Sequence, residues 1–205
     1  MSLAVVTPWR DHPELTADYF MAIEVGQPDQ LVIVDDGSVE PLTFAAARIE
    51  QGGFCTATNV GLALVETEHV LFLNNDVRPT RDDWLAEYRD AIEQGVIVGP
   101  LRYDPHGKVD GVDYPYVDGW ALGMTTEDAR RLGGWDERYD DAGPGYFSDN
   151  AFSFQARVAG LTLRELRPGL WHKGGVTGGG GPAFQHALRV NSLLFAEQVR
   201  EVVKP

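Results

Sequence analysis

The chain has 205 residues, 43% of them hydrophobic, enough for one well-filled core and a better fit to one domain than to two. Lys plus Arg number 17 against 31 Asp plus Glu, a formal charge of -14, which excludes nonspecific nucleic-acid binding unless a local basic patch overrules the repulsion. The lone Cys55 cannot form an internal disulfide, the opening MSLAVVTPWR is no signal peptide, and no apolar run approaches the ~20 residues of a membrane span, so a reducing, cytoplasmic setting without a membrane span is expected.

Leu3 to Thr7 predicts a strand, and DHPELTADYFMAIE after it places Leu15, Tyr19, Phe20 and Ile23 at helical spacing. Leu31 to Val34 predicts a second strand, followed by DDGS and a helical stretch through Phe44 and Ile49. TATNVGLALVE reads as a short helix with Thr56 or Thr58 near its start, and HVLFL as the next strand. RPTRDDWLAEYRDAIEQG opens with Pro79 and Thr80 as candidate N-cap, presents Trp84, Leu85, Tyr88 and Ile92 on one face, and closes on Gly95 before the strand VIVG. This βαβα rhythm implies an α/β fold, a mostly parallel sheet with helices on both faces.

From Pro100 to Tyr116 the pattern loosens into Gly-, Pro- and Asp-rich sequence, read as hairpins and loops, a small antiparallel section. TTEDARRLG predicts a short capped helix, SDNAFSFQARVAG another with Ser148 as candidate N-cap, and LTLREL an edge or core strand. A last helix is expected from about Phe184 to Val203, with Leu188, Phe195, Val199 and Val202 on one side. The stretch 174–181 is of low complexity; it lacks the Lys and Ser/Thr of a P-loop, and reads as a mobile lid or a plain linker.

In open parallel sheets, ligands sit outside the carboxyl ends of the strands. Three polar clusters follow predicted strands directly: TPWR, DDGS and NND. Each alone is also what an ordinary turn prefers. Parallel strands would put all three on one edge, where Thr7, Asp36 and Asp76 converge. The first βα turn has no GxGxxG, which disfavours a dinucleotide cofactor bound in the usual Rossmann manner. An acidic chain that handles an anionic ligand needs cations, and a divalent metal supplies them locally.

VVTPWR, LVIVDDGS, ATNVGLAL, VLFLNNDVRPTRDDWL, LGGWDERY, YFSDNAFSFQARVAGL and LWHKGG occur in the order seen in family 2 glycosyltransferases of the GT-A fold, and the chain resembles that family from about residue 3 to about residue 175. The soluble, rhamnosyltransferase-like branch is the most similar. The resemblance implies one GT-A domain over 1–205, with a Rossmann-like nucleotide-binding half (1–100) and an acceptor-side half (101–205) containing the Gly-rich loop and the C-terminal helix. It implies transfer of a sugar from a nucleotide-diphosphate-sugar donor to an acceptor hydroxyl, usually with inversion. The acceptor is left open between a glycan, a lipid-linked glycan, a small molecule, a protein and modified DNA.

By the same resemblance, Asp76 is the metal-binding carboxylate and His172 a further ligand of Mn2+ or Mg2+. Asn74 stands where the family's first Asp holds the ribose, with Asn75 beside it. Asp36 is implied to accept a hydrogen bond from the nucleobase, with Thr7 and Asn59 near the nucleotide. Asp149 matches the catalytic base, and its place in the first helical turn favours the ionised form. Trp135 and Asp136 match a loop facing the acceptor, although a core Trp beside a Gly turn fits equally; Trp120 is read as packing. The chain departs from the family with SDNA for EDxD and Gln155 for a usual Arg. Two other readings stay open: a nucleotide-sugar or glycan binding module of weakened activity, and a nucleotidyltransferase or metal-dependent phosphatase, which leaves GGWDE, SDN and WH without roles.

Overall fold

The computed structural model describes residues 1–103, 107–167, 169–174 and 181–203. In chain order the first elements are β1 (Leu3–Trp9), α1 (Thr16–Gly26), β2 (Gln30–Asp36), β3 (Ala47–Ile49), α2 (Phe54–Ala63), β4 (His69–Leu73), β5 (Val77–Pro79) and α3 (Trp84–Ala91). Then come β6 (Val96–Gly99), β7 (Leu101–Arg102), β8 (Lys108–Val109), β9 (Val112–Asp113), β10 (Tyr116–Val117) and β11 (Ala121–Thr125). The remainder is α4 (Thr126–Arg131), α5 (Ser148–Val158), β12 (Thr162–Glu165), β13 (Leu170–His172) and α6 (Pro182–Val202).

Seven strands form one sheet in the order β12-β6-β11-β4-β1-β2-β3. β1 runs parallel to β2 and β4, β2 to β3, and β6 to β12; β11 alone lies antiparallel, between β4 and β6. The sheet is therefore the mostly parallel one expected. The period of two explains its two cores: Ala4 and Val6 of β1 face a cluster with Val34, Phe72, Trp135 and Phe152, while Leu3 and Val5 face one with Leu71, Trp84 and Tyr88. With both faces covered, the central strands are largely apolar, and β4 is buried at all five positions. Gly61 lets α2 approach the sheet closely, since a Cβ there would lie 2.4 Å from Val6 Cγ1.

Some boundaries differ from the sequence reading. No helix forms between DDGS and Ile49. The Asp35 carboxylate accepts from Ser38 N (2.8 Å) and Leu42 N (3.1 Å) and pairs with Arg48, pulling the segment into a turn that returns as the edge strand β3. α3 starts at Trp84, not Thr80, because the Thr80 and Arg81 amides bond to Gly169 O. Phe147, in a left-handed conformation at φ 67°, is the N-cap of α5, and Ser148 opens the helix itself. α6 buries Phe195 and Val199 with Leu188 partly covered, but Val202 is 53% exposed. The expected hairpins form as β7 with β10 and β8 with β9, the latter turning at Asp110 (φ 49°) and Gly111 (φ 84°), the Asp-Gly signature of a two-residue hairpin. Residues 175–180 of the Gly-rich loop lie outside the described residues. Among the described residues no helix is long and apolar enough to cross a membrane.

Candidate active site

Because β1, β2 and β4 are parallel neighbours, their carboxyl ends open onto one edge, and a cleft of about 480 Å3 lies there. Asp36 from the end of β2, Asn74, Asn75 and Asp76 after β4, Asp149 from α5 and His172 from β13 all line it. Six of the ten candidate residues are thus brought together.

β4 ends at Leu73, where the antiparallel neighbour β11 begins; Asn74 N donates to Trp120 O at 2.9 Å, turning the amide-rich segment across the sheet edge. The chain resumes as β5, which pairs antiparallel with β13 and sets His172 opposite Val77. Lys173 N donates to Asp76 O (2.9 Å) and Gly174 N to Asp76 Oδ2 (3.0 Å). Trp120 stacks face to face on the His172 imidazole, ring centroids 4.6 Å apart and planes 7° from parallel. The tryptophan read as packing is therefore also a wall of the cleft and the surface that orients the imidazole.

Asp76 Oδ1 and His172 Nε2 stand 3.0 Å apart. They reach ion-pair distance without hydrogen-bond geometry, and both are buried and otherwise unpartnered among the described residues. Buried polar atoms left in this way cost roughly 1–3 kcal/mol each unless something supplies the missing partner. A hard oxygen and an imidazole nitrogen at this spacing fit adjacent ligands of one Mn2+ or Mg2+ ion. Among the described residues no group of three or more His, Cys, Asp and Glu gathers as a complete cage.

Across the cleft, Asp149 is held by Gly119 N on Oδ2 (3.2 Å) and by Asn150 N on Oδ1 (2.9 Å). Its carboxyl is pushed up to about 7, first by burial and then by the neighbouring Asp118 charge, against these backbone bonds. The expectation that the helix terminus keeps it ionised is outweighed: a dipole contribution of 0.3–1 kcal/mol is less than about one pKa unit. Asp36 Oδ1 accepts from Gly52 N (2.6 Å) and Gly53 N (3.1 Å), which ties the end of β2 to the start of α2.

The other four candidates go elsewhere. Thr7 is fully buried, with its hydroxyl 2.6 Å from Tyr19 Oη, because an alternating position inside β1 points into the core. Asn59 clamps the following loop, accepting from Trp135 N at 2.8 Å and donating to Trp135 O and Glu137 Oε1, both at 2.9 Å. Trp135, 2% exposed, stacks on Phe152 and meets Phe54 and Phe72 edge-on; it is a core residue and no platform for a sugar. Asp136 accepts from Arg138 and from Gln198 Nε2 (2.6 Å), fastening the loop to α6.

The cleft also holds residues the sequence reading did not single out. Asp140 accepts from Cys55 N (3.1 Å), Thr56 N (2.9 Å) and Thr56 Oγ1 (3.2 Å), capping α2 from a distant loop, and burial raises its pKa despite those bonds. Asp118 and Arg10 complete the charged lining. Among the described residues of the lining, five carboxylates, Asp36, Asp76, Asp118, Asp140 and Asp149, face one guanidinium and one imidazole, an excess that would repel an anionic ligand without added positive charge.

No family model and no curated protein matches the chain. Solved structures do. Staphylococcus aureus TarS 1–349 superposes with a TM-score of 0.57 at 16% identity, over 82% of this chain and 59% of that one. The Drosophila β1,4-galactosyltransferase 7 mutant D211N, in complex with manganese, UDP-Gal and xylobiose, gives 0.55 at 19%, over 80% and 64%. The mannosyltransferase PcManGT from Pyrobaculum calidifontis, in complex with GDP-Man and Mn2+, gives 0.62 at 16%, over 98% and 73%. The chain spans less than two thirds of the first two. These likenesses establish the fold, and it is the GT-A fold.

Proposed function

We propose that the chain is a metal-dependent, inverting glycosyltransferase that uses a nucleotide-diphosphate-sugar donor, with residues 1–100 forming the donor half and 101–205 the acceptor half of one domain. The observation that carries this reading is the otherwise unpartnered Asp76–His172 pair at the carboxyl edge of the sheet, in one cleft with Asp149. The structural neighbours include proteins solved with UDP-Gal or GDP-Man and manganese, which agrees with it. The motif series keeps the rhamnosyltransferase-like branch as the finer placement and a cytoplasmic setting as the compartment.

Asp76 and His172 would hold Mn2+ or Mg2+, which supplies positive charge to the donor diphosphate as negative charge builds on the leaving group. Asn74 and Asn75 offer neutral donors and acceptors to the ribose, and Asp36 offers its carboxylate to the nucleobase. Arg10 lines the same cleft and adds a cation for the phosphates. Asp149, ionised, takes the proton of the acceptor hydroxyl while that oxygen bonds to the anomeric carbon from the face opposite the breaking sugar–phosphate bond. The products are the inverted glycoside, a nucleoside diphosphate and protonated Asp149. Trp120 keeps the imidazole in place throughout.

The test is incubation of the purified protein with UDP-, GDP- and dTDP-sugars, with and without Mn2+, reading nucleoside diphosphate release. Metal-dependent release lost in Asp149→Asn, with donor binding retained, supports the proposal. Binding with no release from any donor favours the binding-module reading, and no binding of any nucleotide sinks both.

A further inference from the structure

Asp118 is not part of the motif series, yet the fold fixes it beside Asp149. Its backbone is pinned between β10 and β11: Asp118 N donates to Pro100 O at 2.8 Å, and Ala121 N donates to Asp118 O at 3.4 Å. The next amide, Gly119 N, is the one that donates to Asp149 Oδ2. The two carboxylates therefore share one backbone hinge and line one wall of the cleft. Arg102 Nε holds Asp118 Oδ2 at 3.0 Å, while Oδ1 has no partner among the described residues on a side chain 25% exposed.

The distribution of charge around the cleft is uneven. Among its described lining residues, Arg10 at the end of β1 and His172 beside Asp76 are the cationic or potentially cationic groups, and both lie with the donor-side segments. Among the described lining residues, Asp118, Gly119, Tyr146, Phe147 and Asp149 have no Lys or Arg beside them in the cleft. Arg102 engages Asp118 without lining the cleft itself. An anion attached close to the reacting hydroxyl would sit against two carboxylates, and the only cation beside them among the described residues, Arg102, is already paired with Asp118. A hydroxyl or ammonium there would instead make a charge-assisted bond to a fixed oxygen.

Building on the transferase reading, we propose that Asp118 selects the acceptor: its Oδ1 receives a hydrogen bond from a second hydroxyl or an ammonium group beside the reacting hydroxyl, so the acceptor is a neutral polyol or an amino sugar with no phosphate or carboxylate at that place. The charge of Asp118 also acts on Asp149. The Tyr139 hydroxyl, raised first by burial and then by Asp136, is turned to Gln198 Oε1 at 2.7 Å, and Tyr146 shares the wall. Removing the Asp118 charge alone should make Asp149 easier to ionise.

The test compares methyl glucosaminide, methyl glucoside and methyl glucuronide as probes on the full chain with Mg2+ and either UDP or GDP, using ligand-observed saturation-transfer NMR. Wild type is expected to bind the first two about tenfold better than the glucuronide. Asp118→Asn, isosteric and still able to accept from Arg102, should lose the preference, whereas Arg102→Gln should strengthen it for the glucosaminide. In turnover, Asp118→Asn should shift the acid limb of the rate profile to lower pH with the donor KM unchanged, a shift that a merely structural role would not cause. A glucuronide bound as well as the glucoside, no binding of any of the three, or an Asp118→Asn protein with the wild-type order and acid limb, overturns the assignment. Failure of UDP and GDP to bind overturns the transferase reading instead.

Discussion

The side-chain amide of Asn59 grips both ends of residue Trp135, with Oδ1 2.8 Å from its N and Nδ2 2.9 Å from its O. Two residues expected to touch substrates thus touch each other, across 76 residues of sequence, and their task is to lock a loop onto α2. Gly134 completes the lock: at φ 77° it bears no Cβ, and one would lie 2.4 Å from Asn59 Oδ1.

Asn59→Ala should therefore act on stability and not on the nucleotide. Leaving the Trp135 N and O unpaired should cost about 2 kcal/mol. Chemical denaturation measures this, and nucleotide affinity titrated on the still-folded variant should stay within about twofold of wild type. A large loss of nucleotide affinity with little loss of stability would restore the role inferred from the motif.

The pair at the sheet edge makes the opposite prediction. Asp76→Asn and His172→Ala each remove a ligand from atoms that are buried and unpartnered. Each should reduce Mn2+-dependent binding of a nucleoside diphosphate by about tenfold or more, while the metal-free melting temperature of Asp76→Asn stays constant or rises and that of His172→Ala falls modestly with the lost stacking on Trp120. Thermal shift with and without Mn2+ reads both quantities. An unchanged Mn2+ response would show that the ion binds elsewhere.

Asp149 ties rate to pH. Because its carboxyl is pushed up to about 7, the ionised base disappears as pH falls through neutrality, and transfer should decline along a single acid limb centred near 7. A limb centred near 4 would mean that another group is the base.

The same residue affects stability with a definite sign. Its folded pKa is raised, so between about pH 4 and about pH 7 the folded chain holds a proton that the unfolded chain releases, and stability falls as pH rises through that window. Asp149→Asn removes this dependence. The melting temperature of the variant relative to wild type should increase steadily from pH 4 to pH 8. A difference independent of pH would contradict a buried, raised carboxyl.

Trp120→Leu should keep the fold but free the imidazole to rotate, since the indole covers its face at 4.6 Å. Metal-dependent donor binding should weaken by about 10-fold, within the range for residues that orient a ligand. Full retention would return Trp120 to a packing role.

What could be read from the residues follows a physical divide. Apolar runs such as VLFL and VIVG announce parallel strands because each must bury both faces, and parallel strands fix which ends share an edge; hence Asp36, Asp76 and their cleft were legible. Positions set by a distant partner were not. Asp35, next door to Asp36, looks the same in sequence, yet it bonds Ser38, Leu42 and Arg48 and abolishes the helix expected there. Nothing in YVDGW distinguishes Asp118, whose place beside Asp149 comes from the next amide, Gly119 N, bonding a carboxylate 30 positions further along the chain. Trp135 in GGWDE illustrates the converse: motif and packing demand the same aromatic residue, and only its neighbours Phe72 and Phe152 show which applies.

The short ribbon of β5 and β13 has a bearing on how the molecule is made. Gly174 and Asp76, joined by a hydrogen bond, are separated by 98 residues. During synthesis the carboxylate leaves the ribosome long before the imidazole, and the closing loop is among the longest the chain must form, so this contact should belong to the late, slow part of folding. A chain that has built its central strands but has not docked the ribbon would contain Asp36 and the Asn74–Asp76 edge without the imidazole, and, on the proposed reading, competence for metal would then report that folding has finished.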